Sequence, residues 1–390
     1  MTDTNTRTTI AKNTAETLRK KQGEIADRHV VIGFDGCIDT IVHVVDVRHG
    51  AGRYERMTGM LQFADRIAKA AGKSANIEFV VQQQKTGGNA AIMASALVSA
   101  GTPLTFIGNL ADPSGNIAEV YRQFTDDCEE VILTGETGLT DAAEFNDGKV
   151  MFGKVTPFES LDYARLTGEV PPDRLLSYID KADLLATVNW TMFPGMNDIW
   201  RGLLKDILPR LSESPTRRMF VDLADPAKRS KEDLAEALAL LGELNSFLPL
   251  TLGLNLSEAK QVAQVLGLSA AFADNETVSP DTLLPVTVQI REILNIDRLL
   301  IHPLEGAAGA QASGEEAWFS GPYIPEPKIS TGGGDHFNAG ANLAALLGLS
   351  LQEQLAAGTA TSGYYVRTAI SPDINKLADF LDDMPAPVSG

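Results

Sequence analysis

The segment Thr331-Gly332-Gly333-Gly334-Asp335 leads directly into an apolar helical pattern that continues to Leu347. Consecutive glycines let the backbone curl so that several N–H groups converge, and at the start of a helix these groups carry partial positive charge. An Asp in the first helical turn is also placed to accept a proton from a substrate hydroxyl. Taken alone, the segment fits two interpretations equally well: an anion-binding loop with a catalytic base, or a flexible loop whose Asp only caps the helix.

Two other kinds of nucleotide-binding loop do not fit this segment. Its spacing is not G-x-G-x-x-G, and it lies near the C-terminus rather than in a first strand–helix unit, which argues against a dinucleotide-dependent oxidoreductase. The chain also lacks the G-x-x-x-x-G-K-[ST] pattern of a P-loop. The glycine segment therefore has to be interpreted from its surroundings.

Strand-like and helix-like segments alternate along most of the chain. The predicted strands cover residues 29–34, 104–108, 183–188, 219–222, 251–255 and 299–302. The predicted helices cover residues 88–100, 196–208, 231–241, 257–266, 335–347 and 351–368. Such alternation predicts an α/β fold in which a mainly parallel sheet is covered by helices on both faces.

Residues 38–48 and 140–154 break this alternation. In the second segment, Asn146-Asp147-Gly148 separates two short alternating runs, which is a hairpin signal. We expect the two segments to form a small antiparallel sheet that projects from the main domain. The predicted organisation is an N-terminal extension over 1–28, one domain over 29–384 and a loose tail over 385–390.

The composition limits the partners and the location of the protein. The 390 residues include 33 basic and 51 acidic side chains, a formal net charge of −18, which disfavours binding to nucleic acid or to an anionic membrane. The two cysteines make neither a disulfide framework nor a zinc site. The N-terminus is polar and no apolar run approaches the ~18 residues of a membrane span, so we expect a cytoplasmic protein.

Four motifs resemble those of one known family when they are taken together and in order. They are Gly33-Phe-Asp-Gly-Cys-Ile-Asp39, the glycine pair Gly87-Gly88, Asn255-Leu-Ser-Glu258 and Gly332-Gly-Gly-Asp335. The set resembles the ribokinase-like, or PfkB-type, carbohydrate kinases from residue 29 to about residue 370. The resemblance implies a ribokinase-like three-layer α/β sandwich with a mainly parallel central sheet and a small β lid over 38–48 and 140–154.

In that family, a nucleotide donates its terminal phosphate to a hydroxyl of a sugar, a nucleoside or a related polyol. By this resemblance Asp335 is the catalytic base, and Gly332, Gly333 and Gly334 form the anion hole around the transferring phosphoryl group. The implied donor is ATP with Mg²⁺, and ADP is the alternative because ADP-dependent sugar kinases share the fold and a related loop. The family also implies a small-molecule partner and a homodimer paired through the lids.

The resemblance implies substrate contacts near the first strand and the first glycine pair. Asp35 and Asp39 would accept hydrogen bonds from acceptor hydroxyls, although Asp35 is equally suited to bind turn amides. Gly87 and Gly88 would let a substrate approach the backbone closely. Asn89 would add a side-chain contact or, with equal weight, cap the helix.

Nucleotide and metal contacts are implied for the C-terminal half. Asn255 and Glu258 would hold Mg²⁺ through water, and the alternative is a plain helix start with Asn255 as its cap. His302, Gly306 and Asn338 would contact the nucleotide, although a lone His is more often structural.

Four positions depart from the common form of the family. Ile329 replaces the first Asp of the D-T-x-G-A-G-D loop, a position linked to a monovalent cation site. Gly333 replaces Ala, His336 replaces a small residue, and Ile92 occupies the place of a sugar-binding Asn. These changes indicate a divergent member of the family. They also support an alternative in which the chain is a catalytically silent regulatory protein that binds a sugar or a nucleotide.

Overall fold

The computed structural model describes residues 4–268, 272 and 278–387. Its helices are α1 (Thr4–Lys21), α2 (Met60–Lys69), α3 (Asn89–Ser99), α4 (Arg122–Thr125), α5 (Tyr163–Glu169), α6 (Pro172–Lys181), α7 (Met196–Gly202), α8 (Lys231–Asn245), α9 (Leu256–Val265), α10 (Pro280–Leu294), α11 (Gly333–Leu346), α12 (Leu351–Thr368) and α13 (Ile374–Asp382). Its strands are β1 (Val30–Gly33), β2 (Cys37–Gly50), β3 (Arg53–Arg56), β4 (Phe79–Gly87), β5 (Leu104–Gly108), β6 (Glu130–Leu133), β7 (Gly138–Phe145), β8 (Gly148–Lys154), β9 (Leu184–Thr187), β10 (Arg218–Asp222), β11 (Leu250–Leu254), β12 (Arg298–Ile301), β13 (Gly306–Gln311) and β14 (Glu316–Ser320).

The larger sheet has nine strands in the described part of the chain, in the order β14-β13-β12-β11-β10-β9-β1-β5-β6. The strands from β12 to β6 are parallel, and β13 and β14 form an antiparallel edge. In the register at the centre, Ile32 lies opposite Phe106 of β5 and Ala186 of β9. Every residue of β1 and β11 is buried, which is typical of parallel strands covered on both faces.

Helices cover both faces of this sheet and create two hydrophobic clusters. Along β1, Val31 packs into one cluster and Ile32 into the other, because successive side chains of a strand point to opposite faces. The first cluster contains the fully buried Trp190 and Trp200. The second contains apolar side chains of α3, α11 and α12, among them Phe337. This three-layer arrangement confirms the fold class predicted from the sequence.

In the residues that the structure describes, a separate five-stranded sheet forms the lid, with the long β2 at its centre. β2 pairs antiparallel with β4 over its first part and with β3 over its last part, and β7 and β8 form an antiparallel hairpin. We expected an antiparallel sheet throughout, and this was wrong for one pair, since β2 and β7 are parallel. The reason is the connection: the chain passes through β5 and β6 of the larger sheet between these two strands, so β7 does not return by a hairpin.

One face of the lid is covered by α2, an element that the sequence analysis did not predict. Phe63 of α2 packs against Val42, Val44 and Phe145 of the sheet, and together they form a third, smaller hydrophobic cluster. The aromatic rings of Phe63 and Phe145 lie 5.5 Å apart between centroids. The lid therefore has a core of its own, independent of the main domain.

The segment 1–28 contains α1, which packs against α12 and α13. Ala15 and Leu18 are fully buried in this contact, and the Arg7 Nη2 donates a hydrogen bond to the Pro385 carbonyl over 2.9 Å. Of the tail predicted over 385–390, the last three residues lie outside the described residues. Within the described ranges, no helix is both long enough and apolar enough to cross a membrane.

Candidate active site

Polar residues from distant parts of the chain meet where the parallel strands of the larger sheet end. Asp35 follows β1, Asp222 ends β10, and Asn255 follows β11. The first turns of α3 and α11 meet at the same place, since Asn89 contacts Asp335. Ligands of open α/β sheets bind at this edge, so the fold brings the glycine segment to a position typical of an active site.

Asp335 lies in the first turn of α11 and is only 7% exposed. The Asn89 Nδ2 donates a hydrogen bond to the Asp335 Oδ1 over 2.9 Å. Burial raises the pKa of Asp335 well above its usual range, and the negative charges of Asp222 and Asp35 add to this, while the Asn89 hydrogen bond lowers it in part. A buried carboxyl group with a raised pKa suits a general base that acts near neutral pH.

The glycine segment before Asp335 forms the N-terminus of α11. Gly332 adopts φ 86° and ψ 0°, a left-handed conformation that favours glycine, and the helix begins at Gly333. Gly333 and Gly334 occupy the first two helical positions, whose backbone N–H groups have no partner within a helix. The segment therefore presents donors at the positive end of the helix dipole, as an anion hole requires.

Asp35 is fully buried and acts on the backbone of α3. Its carboxylate accepts hydrogen bonds from the backbone N–H groups of Asn89 and Ala90, each over 2.8 Å, and from the Asn189 Nδ2 over 2.7 Å. This geometry favours the interpretation in which Asp35 binds turn amides. It also leaves Asn89 free of a capping role, because Gly88, at φ 91°, occupies the position before the helix.

Asp39 lies on β2 of the lid, beside the glycine pair. A Cβ atom at Gly87 would lie 2.5 Å from the Asp39 Oδ1, so only glycine fits next to this carboxylate. Burial raises the pKa of Asp39, and the positive charges of Lys85 and Lys149 oppose this increase. Asp39 therefore faces a partly buried site that contains cations as well as carboxylates.

Lys85 of β4 connects the lid to the glycine segment, a contact that the sequence analysis missed. Its Nζ donates a hydrogen bond to the Thr331 Oγ1 over 2.9 Å. Lys85 also lies opposite Asp39 in the register of β2 and β4. A lysine two residues before a glycine pair is not a signal in itself, because the contact depends on how the lid sits over α11.

Two cavities lie near the glycine segment. One, of about 1000 Å³, lies on the lid side, and Lys85, Ile92, His336 and Tyr365 are among its lining residues. The other has a volume of about 540 Å³. Its lining includes His302, Gly306, Gly333, Gly334, Phe337, Thr359, Ser362 and Gly363. The glycine segment borders the second cavity through Gly333 and Gly334, whereas His336, the residue after Asp335, borders the first, and each cavity is large enough for a small molecule.

His302 and Gly306 line the second cavity, where nucleotide contacts were predicted. The His302 ring packs against the Phe337 ring at 4.6 Å between centroids. Burial lowers the pKa of His302 to about 4, so the imidazole is neutral near pH 7. Gly306 also has a packing role, since a Cβ there would lie 2.3 Å from the Phe319 carbonyl oxygen.

Asn255 and Glu258 form a reciprocal cap at the start of α9. The Glu258 N–H donates to the Asn255 Oδ1 over 3.0 Å, and the Asn255 backbone N–H and Nδ2 donate to the two Glu258 oxygens over 2.8 and 2.6 Å. This is the helix-start geometry that we considered as the alternative. The same arrangement holds the Glu258 carboxylate buried at the end of the sheet, close to the charges of Asp222 and Asp335.

Asp222 is a site residue that the sequence analysis overlooked. Its Oδ2 accepts a hydrogen bond from the Asn338 Nδ2 over 2.7 Å, so Asn338, predicted as a nucleotide contact, is buried against this carboxylate. Burial is the main cause that raises the pKa of Asp222 to about 6. The available signal was its position, since an Asp that ends a buried strand lies at the ligand-binding edge.

The oxygen donors at this edge fit a hard divalent cation held partly through water. Burial and the negative charge of Asp222 raise the pKa of Glu258. This indicates that the two carboxyl groups, Glu258 and Asp222, lack a compensating positive charge. The buried Asn338 Oδ1 has no hydrogen-bond partner in the described residues. Nor do the described residues contain a group of three or more His, Cys, Asp or Glu that could hold a metal directly. Mg²⁺ tolerates such a site because it retains several waters.

Comparison with known proteins shows the family of the chain. The family model of prokaryotic ketohexokinase matches residues 2–384 of the chain. A ketohexokinase from Haloferax volcanii is 30% identical over 371 residues, which cover 94% of each chain.

Solved structures resemble the fold at low sequence identity. The ribokinase of Cryptococcus neoformans in complex with ADP has a TM-score of 0.62 and 16% identity, covering 91% of this chain and 99% of that one. The ribokinase of Arabidopsis thaliana complexed with ribose and ATP has a TM-score of 0.61 and 16% identity over the same shares. These likenesses establish the ribokinase-like fold.

Proposed function

The chain belongs to the prokaryotic ketohexokinase family and is a carbohydrate kinase, and we propose from that premise that it transfers the terminal phosphate of ATP to a hydroxyl of a ketohexose. One observation carries the proposal. Asp335, a buried carboxyl group with a raised pKa, directly follows Gly333 and Gly334, which line the cavity of about 540 Å³, and it accepts a hydrogen bond from Asn89, which follows the glycine pair of the lid. A base in this position can reach a hydroxyl on the lid side while the N–H groups beside it meet a phosphate from the other side.

In the proposed reaction the ketohexose lies between the lid and the first turns of α3 and α11. The Asp39 carboxylate accepts hydrogen bonds from its hydroxyls, and Gly87 and Gly88 allow it to lie against the backbone. Asp335 accepts the proton of the reacting hydroxyl as the oxygen attacks the terminal phosphorus. Asn89 holds the Asp335 carboxylate by its 2.9 Å hydrogen bond and so fixes the oxygen that receives the proton.

The transferring phosphoryl group is stabilised by the N-terminus of α11. The N–H groups of Gly333 and Gly334, with Gly332 shaping the turn, donate to its oxygens. Lys85 adds positive charge from the lid, because its ammonium group is already hydrogen-bonded to Thr331 next to this loop. Closure of the lid over the sugar then excludes water and limits hydrolysis of the nucleotide.

Mg²⁺ would be held through water by Glu258 and Asn255, with Asp222 as a third neighbouring oxygen donor. When bound, it neutralises the phosphate charge that otherwise opposes the transfer. Asn338 orients the Asp222 carboxylate through the 2.7 Å hydrogen bond. The chain's own contribution is to keep these carboxylates buried and fixed at the end of the sheet.

The nucleotide occupies the cavity of about 540 Å³, with His302 and Gly306 among its walls. We propose ATP as the donor and keep ADP as the alternative to be measured. The protein is proposed to act in the cytoplasm on a small-molecule substrate.

We further propose that two copies pair through their lids. Phe79, Val81, Leu139 and Phe152 are exposed apolar side chains on the lid strands, and the Phe79 and Phe152 rings lie 6.2 Å apart. Such a cluster is unusual on a surface that faces only water. Sedimentation of the wild type and of Val81→Asp tests this: a dimer that the variant converts to a monomer is expected, and a monomeric wild type contradicts it.

The function is tested with the purified wild-type protein and a panel of acceptors. Ketohexoses, aldopentoses, aldohexoses and nucleosides are each incubated with Mg²⁺ and either ATP or ADP, and phosphorylated product is measured. We expect rapid transfer from ATP to a ketohexose and a rise in melting temperature when the ligands bind. Transfer to a nucleoside or an aldopentose in preference to every ketohexose would overturn the proposed acceptor, and absence of any transfer would overturn the proposed activity.

A further inference from the structure

His336, the residue that follows the proposed base, is only 1% exposed and uses both ring nitrogens. Its Nδ1 lies 2.7 Å from the Gly332 carbonyl oxygen, and its Nε2 lies 2.9 Å from the Ser371 Oγ. A carbonyl oxygen can only accept, so the proton belongs on Nδ1, and Nε2 then accepts from the Ser371 hydroxyl. The imidazole is therefore a bridge between the glycine segment and the chain that follows α12.

The His336 ring is also held from the side. It stacks on the Tyr365 ring of α12, with 3.5 Å between centroids and an angle of 11° between the planes. Burial lowers the pKa of His336 to about 4, so the ring remains neutral near pH 7 and keeps one donor and one acceptor. Three contacts to separate atoms of the chain thus fix one imidazole in a single orientation.

The atom that His336 holds matters because it belongs to the peptide between Gly332 and Gly333. That peptide is planar, and in its trans form the carbonyl and the N–H point in opposite directions. A donor that fixes the Gly332 carbonyl therefore also fixes the direction of the Gly333 N–H. The Gly332 carbonyl also accepts the backbone N–H of His336 over 3.1 Å, so the imidazole is the second and shorter of two donors on this oxygen. It adds restraint to a peptide plane that follows the left-handed Gly332 at φ 86°, because glycine itself has little steric restriction.

We propose that His336 is a positioning residue that sets the Gly332–Gly333 peptide plane, so that the Gly333 N–H meets the transferring phosphoryl group. The role rests on the proposed function, since it concerns the same anion hole. His336 touches neither substrate nor nucleotide in this scheme and acts only through the peptide. Ser371 and Tyr365 support it by fixing the tautomer and the plane of the ring.

The test compares three variants with the wild type by steady-state kinetics and by nucleotide binding. His336→Ala removes the side-chain donor but keeps the backbone one, so we expect kcat to fall about 10-fold, less than the ~100-fold that a misplacement of about 1 Å can cost. The KM for the sugar and the Kd for a non-hydrolysable ATP analogue should change less than about threefold. His336→Asn can place its Nδ2 near the former Nδ1 and should recover most of kcat, while Ser371→Ala should lose only a few-fold.

Added imidazole provides a second readout that a structural role would not give. The cavity left by His336→Ala opens toward the lid-side cavity, which His336 lines. Imidazole should restore part of kcat, whereas 1-methylimidazole, which cannot donate and accept together, should not. The role is overturned if His336→Ala keeps wild-type kcat, if it changes KM instead of kcat, or if both imidazoles act alike. Absence of transfer by the wild type would instead reject the proposed function and this role with it.

Discussion

The side-chain amide of Asn89, at the first position of α3, donates a 2.9 Å hydrogen bond to the carboxylate of Asp335 in α11. The two residues are far apart in the chain and belong to helices on the same face of the sheet. The contact favours the charged form of Asp335 against burial and the neighbouring carboxylates, which raise its pKa. Asn89 thus supports the form of Asp335 that can accept a proton.

Replacing Asn89 by Leu should move the acidic limb of the kcat–pH profile to higher pH. The donor is lost, so the charged form of Asp335 is less stable and its pKa rises further. A hydrogen bond to a charged group contributes about 1.5–3 kcal/mol, which corresponds to about one to two pH units. Ser99→Ala, at the exposed end of the same helix, is the control and should not move the limb. An unchanged limb in the Leu variant would contradict this role.

Lys85→Met should lower kcat by about 10- to 100-fold, because it removes a charged hydrogen bond to the glycine segment and a positive charge near the phosphate. Lys149→Met is the matched control. Lys149 is another lysine that lines the lid-side cavity. It forms an ion pair with Glu144 at 3.0 Å, whereas Lys85 donates a hydrogen bond to Thr331. We expect the control to change kcat less than about threefold. Equal losses in both variants would show that only the overall charge of the cavity matters.

Asp222 makes the stability of the protein depend on pH in a direction opposite to that of a salt-bridged Asp. Its pKa of about 6 in the folded state exceeds the ordinary value. The folded state therefore binds the proton more tightly than the unfolded state, and the stability present at low pH is lost as the pH rises through about 6.

Asp222→Asn removes this dependence. As the pH rises from about 5 to about 8, the unfolding free energy of Asp222→Asn minus that of the wild type should increase by about 1 kcal/mol. Denaturant unfolding without nucleotide at both pH values measures it. Asp225→Asn, at an exposed position in the same loop, is the control for the loss of one negative charge. A constant difference for Asp222→Asn would mean that Asp222 titrates normally.

Gly88→Ala should be far more damaging than Gly115→Ala, although both residues have a positive φ, of 91° and 80°. A Cβ at Gly88 would lie 2.8 Å from the Gly36 Cα and 2.9 Å from the Cys37 backbone nitrogen, whereas a Cβ at Gly115 meets nothing within 4 Å. Both variants carry the left-handed penalty of about 1–2 kcal/mol. Thermal unfolding should show an additional loss for Gly88→Ala alone, and similar losses would contradict the close approach.

Much of the main domain was predictable because its strands are continuous apolar runs. The predicted strand over 104–108 coincides with β5, and the helix over 351–368 coincides with α12. The lid was harder. Whether β2 and β7 pair parallel or antiparallel depends on the path of the chain through the larger sheet, which hydrophobic periodicity does not encode.

The residues of the site also fall into those that the local sequence predicts and those that it does not. The glycine segment and Asn255-Leu-Ser-Glu258 are local motifs, and the sequence was enough to find them. The roles of Asn89 and Lys85 depend on contacts between residues 246 positions apart in the chain. Such contacts are set by the packing of α3, α11 and the lid, so no local sequence pattern predicts them.

The role of Asp335 as the base is tested most directly by Asp335→Asn, with kcat and nucleotide binding measured on the same preparation. Asn keeps the shape of the side chain and can still accept the hydrogen bond from Asn89, but it cannot take up a proton. We expect kcat for phosphoryl transfer to fall by about 10³-fold or more, with the Kd of the nucleotide within about threefold of the wild-type value. Turnover within about tenfold of the wild type would contradict the assignment of Asp335 as the catalytic base.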